Sequence, residues 1–299
     1  MRQVLAPSAT VVDAGVESYG WLSCHQNQPI IFRAMKLTIL PLIVCTALTL
    51  VAATEVRALP DAEAAAGRLI FRKYADAVVV VKLTIVFRIK MGERVMPPSE
   101  NKLDVNGTLI EPSGLTVTAL SAIDPNVIYD AVRSKINVPS TVPVEQGPTE
   151  VKNLRLQLGD GTELPVRIVW KDSARDLALL FPEDASAASK HTFTWVNLNE
   201  GPEAAMLLGN YYHLSRLFEA MQRIAIIRPC TITSIIERPR RLLLVSTDMF
   251  ADTLGCPVFD AQGRVLGICL HQMVDGAIRG FVVMPAADIA EIVALAAAQ

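Results

Sequence analysis

Four histidines, His25, His191, His213 and His271, are the side chains of this 299-residue sequence best suited to moving a proton near neutral pH. Nucleophilic catalysis by a serine or cysteine needs such an imidazole within hydrogen-bond reach, with a third group to orient it. Of the five cysteines, three (Cys230, Cys256 and Cys269) lie beyond residue 58. Metal chemistry would need ligands at close spacing, and no C-x2-C or H-x3-H pattern occurs among the cysteines and histidines of that part. Cys269 and His271 stand two apart, which on a strand places both on one face, but two ligands do not complete a site. The reading therefore contains no metal and no cofactor.

The elements that position these groups belong to a globular chain. Lys and Arg number 28 and Asp and Glu 30, a net charge of −2, with 51% apolar and 19% charged residues. Such a balance excludes disorder over most of the length, and the absence of a basic excess or a basic run argues against a nucleic-acid partner. The length suffices for one large core or two small ones. Only one uncharged apolar run approaches spanning length, so a multi-pass membrane protein is excluded as well.

That run, residues 37–53 (LTILPLIVCTALTLVAA), is 17 residues long, follows Arg33 and Lys36, and ends in Val51-Ala52-Ala53. Short positive region, apolar core and small-residue end are the layout of a secretory signal, with cleavage after Ala53 or Ala58. The alternative is an uncleaved anchor, short against the usual span of about 20 residues, which would leave the N-terminus in the cytoplasm. Both readings export the remainder, to a periplasmic or extracellular location, and only the anchor attaches it to a membrane. Cys45 follows Val44, which is not the small residue a lipoprotein site requires. Met35 offers an alternative translation start. The expected organisation is a non-structural extension over 1–34, a signal or anchor over 35–58, and one domain over 59–299. Three cysteines in that domain allow at most one bridge, Cys230 to Cys269 being the candidate; buried free thiols are the commoner state.

Residues 62–74 read as a short helix, and 77–85 as a β-branched buried strand. Short strands follow at 107–110, 115–119, 153–158, 164–170 and 177–181. A second set is expected at 204–209, 224–227, 231–236, 242–246, 256–259, 265–270 and 280–284. Turn signals such as Glu111-Pro112-Ser113-Gly114 and Asp260-Ala261-Gln262-Gly263 separate them. A short helix over 128–136 precedes a Pro-rich surface loop at 139–149, and one amphipathic helix, 286–297, closes the chain. His213 falls in a loop or helix start, His191 in the connection between the two sets. Many short strands with few helices predict an all-β fold of two groups of about six strands, over about 76–181 and 202–285.

Five stretches in order resemble the trypsin-like serine protease family, its bacterial Deg-type branch in particular. Asn106-Gly107-Thr108-Leu109-Ile110-Glu111-Pro112-Ser113-Gly114 resembles G-x-G-F-I-I-D-P-x-G, and Val117-Thr118-Ala119-Leu120-Ser121-Ala122 resembles V-T-A-A-H-C. DSARDLALL at 172–180 resembles D-x-x-x-D-L-A-L-L, TDMFADTLGCP at 247–257 resembles T-D-A-x-I-N-x-G-N-S-G-G-P, and Gly280-Phe281-Val282-Val283-Met284-Pro285 resembles G-F-A-I-P. The resemblance covers about residues 76–297. It implies two six-stranded antiparallel β-barrels with a C-terminal helix and a cleft between the barrels.

Carried over residue by residue, the resemblance places the triad acid on Asp176, the histidine position on Ser121 and the nucleophile position on Leu254. Acyl transfer needs a hydroxyl nucleophile and an imidazole that takes and returns its proton. Leu254 has no lone pair, and Ser121 is no base near neutral pH. The oxyanion-hole equivalents fall on Asp252 and Leu254, where an acidic side chain would oppose a developing negative charge. Cys256 falls two residues past the nucleophile position and is not a replacement thiol. His271 is the one histidine expected near the cleft, and it reads as a polar strand-end residue rather than a catalytic group. Asp176 without its imidazole reads as a structural remnant bonded to Ser121 or to backbone donors.

The resulting expectation is an exported, inactive protease homologue (a pseudoprotease) that binds a peptide or protein segment in the remnant cleft, or along an exposed strand edge. Two alternatives stay open. One is an active serine-type peptidase with a rearranged site, the other a structural or interaction module whose cleft is closed by side chains such as Leu254.

Overall fold

The computed structural model describes residues 61–133, 144–202, 204–246, 251–275 and 277–298. The expected extension at 1–34, the signal or anchor segment at 35–58 and part of the Pro-rich loop, 139–143, lie outside the described residues. So do 247–250, the start of the fourth resembling stretch. No helix among the described residues is long and apolar enough to cross a membrane.

Helix α1 (Asp61–Tyr74) leads through a short 3-10 turn into the first barrel. That barrel is closed by β1 (Val78–Phe87), β4 (Ser99–Leu109), β5 (Thr116–Ala119), β9 (Leu177–Pro182), β8 (Glu163–Asp172) and β7 (Glu150–Gln157), in that spatial order. The small strands β2 (Ile89–Met91), β3 (Arg94–Val95) and β6 (Val144–Gln146) form a separate three-stranded sheet that the sequence reading does not contain. The second barrel is closed by β10 (Asn210–Arg216), β11 (Ala225–Ile236), β12 (Leu242–Ser246), β15 (Ala277–Pro285), β14 (Val265–Val274) and β13 (Pro257–Asp260). Short helices α2 (Leu120–Ile123), α3 (Pro125–Arg133) and α4 (Ala185–Ala188) lie between strands, and α5 (Ala286–Ala297) ends the described chain. Two closed six-stranded antiparallel barrels and one C-terminal helix are the expected architecture.

The apolar runs that read as continuous rather than alternating do so because both faces of the strand are covered. On β1, Val79, Val81, Leu83, Ile85 and Phe87 belong to the interior of the first barrel, while Val78 belongs to the core between the barrels. On β9, Ala178 and Leu180 face the barrel interior and Leu177 and Leu179 face the other barrel. Period-two alternation therefore separates two apolar clusters instead of apolar from polar. The inter-barrel core also takes Ile70 and Tyr74 of α1, Phe259 of β13 and Ile289 and Ile292 of α5. Each such side chain, fully buried, contributes about 1.5–3 kcal/mol relative to exposure.

Three strand expectations are corrected. The run at 204–209 is not a strand: Met206, Leu207 and Leu208 are exposed, Leu208 has φ +60°, and the Tyr211 hydroxyl accepts from the Met206 N–H at 2.8 Å. The strand begins at Asn210, so His213 lies within β10, fully buried, and not in a loop or helix start. The runs expected at 224–227 and 231–236 belong to the single strand β11, which begins at Ala225 and is continuous through Pro229. That proline is tolerated because residues 225–230 pair with β10 only, while β12 joins from Thr231 onward. The strand at 265–270 runs on to Val274, which places His271 inside β14 rather than at its end.

Cys230, Cys256 and Cys269 are free and buried, so the candidate bridge between Cys230 and Cys269 is not formed. Both thiols lie in the small core of the second barrel.

Candidate functional site at the barrel junction

Strand β5 ends at Ala119 and the chain turns at once into α2, which places Ser121 in the first turn beyond the sheet. The turn from β8 to β9 is built by Asp172, whose carboxylate accepts from the Arg175 N–H at 3.0 Å and pairs with its guanidinium at 2.7 Å. It delivers Asp176 in the left-handed region, φ +55°, a conformation an aspartate adopts more readily than most residues. The Asp176 carbonyl accepts from the Leu120 N–H at 3.0 Å, which ties the two turns together.

The Asp176 carboxylate is 1% exposed and collects three donors. The Ser121 N–H reaches Oδ1 at 2.6 Å; the Ser121 hydroxyl and the His271 N–H reach Oδ2 at 3.0 and 2.7 Å. The His271 ring completes the group, with Nδ1 2.7 Å from Ser121 Oγ and 3.6 Å from Asp176 Oδ2. Its ring rests on Phe281, centroids 4.8 Å apart, directly opposite on β15. Burial pushes the Asp176 carboxyl up, opposed by the hydrogen bonds from Ser121 and His271 and by the nearby imidazole. Burial likewise pushes His271 below the ordinary histidine value, opposed by Asp176. The imidazole is thus neutral near pH 7.

Two backbone N–H donors favour the ionised carboxylate, and with a neutral imidazole this leaves one consistent pattern. The carboxylate cannot donate, so the single Ser121 proton goes to Asp176 Oδ2 and Oγ accepts from the His271 Nδ1–H. Nε2 then carries the lone pair, and no described residue bonds it.

Leu254 follows a 3-10 turn (Ala251–Thr253) and is 6% exposed, part of the inter-barrel core. Strand β4 of the first barrel grips this loop. Asn106 donates from Nδ2 to the carbonyls of Arg216 and Asp252 at 2.8 and 2.7 Å, and Thr108 donates to the Gly255 carbonyl at 2.6 Å. Gly255 sits at φ +75°, and a Cβ there would fall 2.2 Å from the Asn106 carbonyl oxygen. Only glycine fits this close approach. Its N–H donates to the Cys269 carbonyl at 2.8 Å, and the Cys269 N–H to the Cys256 carbonyl at 2.9 Å, extending the β13–β14 ladder in which Pro257 faces Ile268. Leu254 and His271 therefore leave that ladder at the same end.

The Asp252 side chain does not stand unpaired. It is buried and accepts from Arg228 Nη2 at 3.0 Å, so the expected unfavourable charge is neutralised within the fold. Beneath it lies His213, lowered to about 4, chiefly by burial, with Arg228 acting in the same direction and the Thr253 backbone and Asp252 opposing it. All three thiols are pushed up by burial, Cys230 to about 12, which keeps them protonated and unreactive.

Of the residues singled out from sequence, Ser121 and Asp176 are in direct contact, and Leu254 lies in the inter-barrel core. His271, read as an ordinary polar residue, is in fact bonded to both. The 150 positions between Ser121 and His271 carry no spacing signal; the only sequence cue is that His271 belongs to the strand bordering the cleft. His191 stays in the inter-barrel connection, its ring against Phe193 with centroids 6.2 Å apart. No cluster of three or more metal-ligating side chains occurs among the described residues.

A family model for the trypsin-like peptidase domain matches residues 105–268, a span that includes Ser121, Asp176 and Leu254 but stops short of His271. Comparison with curated proteins finds no match. Among solved structures, the HtrA-type protease AlgW with a decapeptide is similar at TM-score 0.52 and 12% identity, over 78% of this chain and 68% of that one. Deg5 is similar at TM-score 0.49 and 15% identity, over 78% and 94%. The MamO protease domain from Magnetospirillum magneticum gives 0.44 and 16%, over 74% and 98%. With more than half of its length matched and both barrels closed, the chain belongs to the trypsin-like peptidase domain family.

Proposed function

We propose that this chain is an exported trypsin-like protease homologue that binds a peptide or protein segment at the inter-barrel cleft without cleaving it. The observation that carries the binding half is the free edge of β14. Its last ladder partner on β13 is Pro257, opposite Ile268, whereas pairing with β15 continues to Val274. Beyond the Asp176 bond to the His271 N–H, the other edge of Gln272, Met273 and Val274 has no strand partner among the described residues. An extended peptide can add there by backbone hydrogen bonding. Residues 265–270 of β14 are buried throughout, so 271–274 is the part of the strand open to such a peptide. AlgW, similar in fold, was crystallised with a decapeptide.

The non-catalytic half rests on Leu254, which puts an alkyl group where the family resemblance requires a hydroxyl. Export rests on the segment at 37–53, with its signal or anchor layout.

A second reading has one observation in its favour: Ser121 Oγ lies 2.7 Å from an imidazole nitrogen, so Ser121 itself could be taken as a relocated nucleophile. The bonding opposes it. The Ser121 proton is held by Asp176. The carboxylate lies on the same side of the ring as the serine, so it does not orient the imidazole from behind, as a triad needs.

The test is to select peptides from a displayed decapeptide library on the purified domain and follow backbone amide exchange with the selected peptide bound. Protection at 271–274 with the peptide recovered intact is expected. Failure to select any peptide, protection elsewhere, or cleavage of the peptide overturns the reading.

A further inference from the structure

The Ser121–Asp176–His271 group goes beyond a remnant, whether or not the wild-type chain holds a peptide. We propose that His271 occupies the general-base position of this site, its Nδ1 side anchored through Ser121 to Asp176, so that position 254 lacks the nucleophile this base would serve.

Three observations support the assignment. First, the order carboxylate, hydroxyl, imidazole leaves Nε2 as the free basic nitrogen, facing away from Asp176, as in a working triad. Ser121 fills the gap that the 3.6 Å separation of Nδ1 and Oδ2 leaves, and passes the pull of the carboxylate to the ring. Second, the ring is fixed. Its own N–H on the backbone is bonded to Oδ2, and Phe281 supports its face. Third, the bonds Gly255 N–H to Cys269 and Cys269 N–H to Cys256 bring Leu254 out of the β13–β14 ladder at the end where His271 begins. The imidazole has thus changed strands, from the turn after β5 to β14, while its carboxylate stayed in place.

The chemistry follows for the variant L254S with a fluorophosphonate. The new hydroxyl gives its proton to Nε2, its oxygen bonds phosphorus, the P–F bond breaks and fluoride leaves, the imidazolium being stabilised through Ser121 by Asp176.

The test compares L254S with L254S/H271Q. Labelling of L254S at position 254 is expected, with a fall of about 10²–10⁴-fold in rate in the double variant, the usual contribution of a positioned base. The pair L254C and L254C/H271Q repeats the comparison with iodoacetamide, read at position 254 itself; the three thiols of the described residues are kept protonated by burial. Faster alkylation with His271 present is expected, and this pair decides if L254S fails to fold. A folded L254S that takes no label, or rates unchanged by H271Q in either pair, overturns the proposal.

Discussion

Ser121 stands between Asp176 and His271, its single hydroxyl 3.0 Å from the carboxylate and 2.7 Å from the imidazole. It donates to the first and accepts from the second, so one small side chain satisfies two buried polar groups from opposite barrels. The first barrel supplies Ser121 and Asp176, the second His271, and the group is part of what holds the barrels in register.

Ser121→Ala removes both bonds and leaves the His271 Nδ1–H without its acceptor. Stability is expected to fall by about 1–3 kcal/mol, the cost of one buried polar group left unmet. Urea denaturation monitored by tryptophan fluorescence measures it; an unchanged midpoint would show that the hydroxyl bridge contributes nothing.

His213 gives the fold a defined acid sensitivity. Its folded value is about 4, against about 6.5 in the unfolded chain. Between these values the unfolded state binds more protons, so stability declines as pH falls from about 6.5 to about 4 and this contribution is exhausted below. The decline attributable to His213 is about 3 kcal/mol at most, at 1.36 kcal/mol per unit. Stability measured across that range in wild type and His213→Leu checks it, and the variant is expected to lose that part of the slope.

The three thiols of the described chain are expected to resist Ellman's reagent in the native state and to react on unfolding in guanidinium. Burial pushes all three up, and none is paired. Rapid reaction of Cys256 without denaturant would mean that the inter-barrel core opens, and rapid reaction of Cys269 that the second barrel does.

The barrels were legible because β-branched runs such as Val78–Phe87 and turn signals such as Gly159-Asp160-Gly161-Thr162 act locally. Ser121, Asp176 and Leu254 were legible through the resembling stretches around them. Pro229 misled because its effect depends on whether both edges of β11 are paired, a tertiary fact. His213 misled because neighbouring Tyr211 and Tyr212 are polar at one end only and pack their rings inward, so the stretch is buried rather than looped. His271 could not be assigned from sequence: its partners are 150 and 95 positions away, and only the closure of two barrels brings them together.

The most direct test of the account is a fluorophosphonate probe on the wild-type protein, followed by mass spectrometry of its peptides. With Leu254 at the position where the resemblance requires the nucleophile, and the Ser121 proton held by Asp176, no serine should be labelled above the level of the heat-denatured protein. Stoichiometric labelling of Ser121, lost in the Ser121→Ala and His271→Gln variants, would contradict it and establish an active peptidase with a rearranged site.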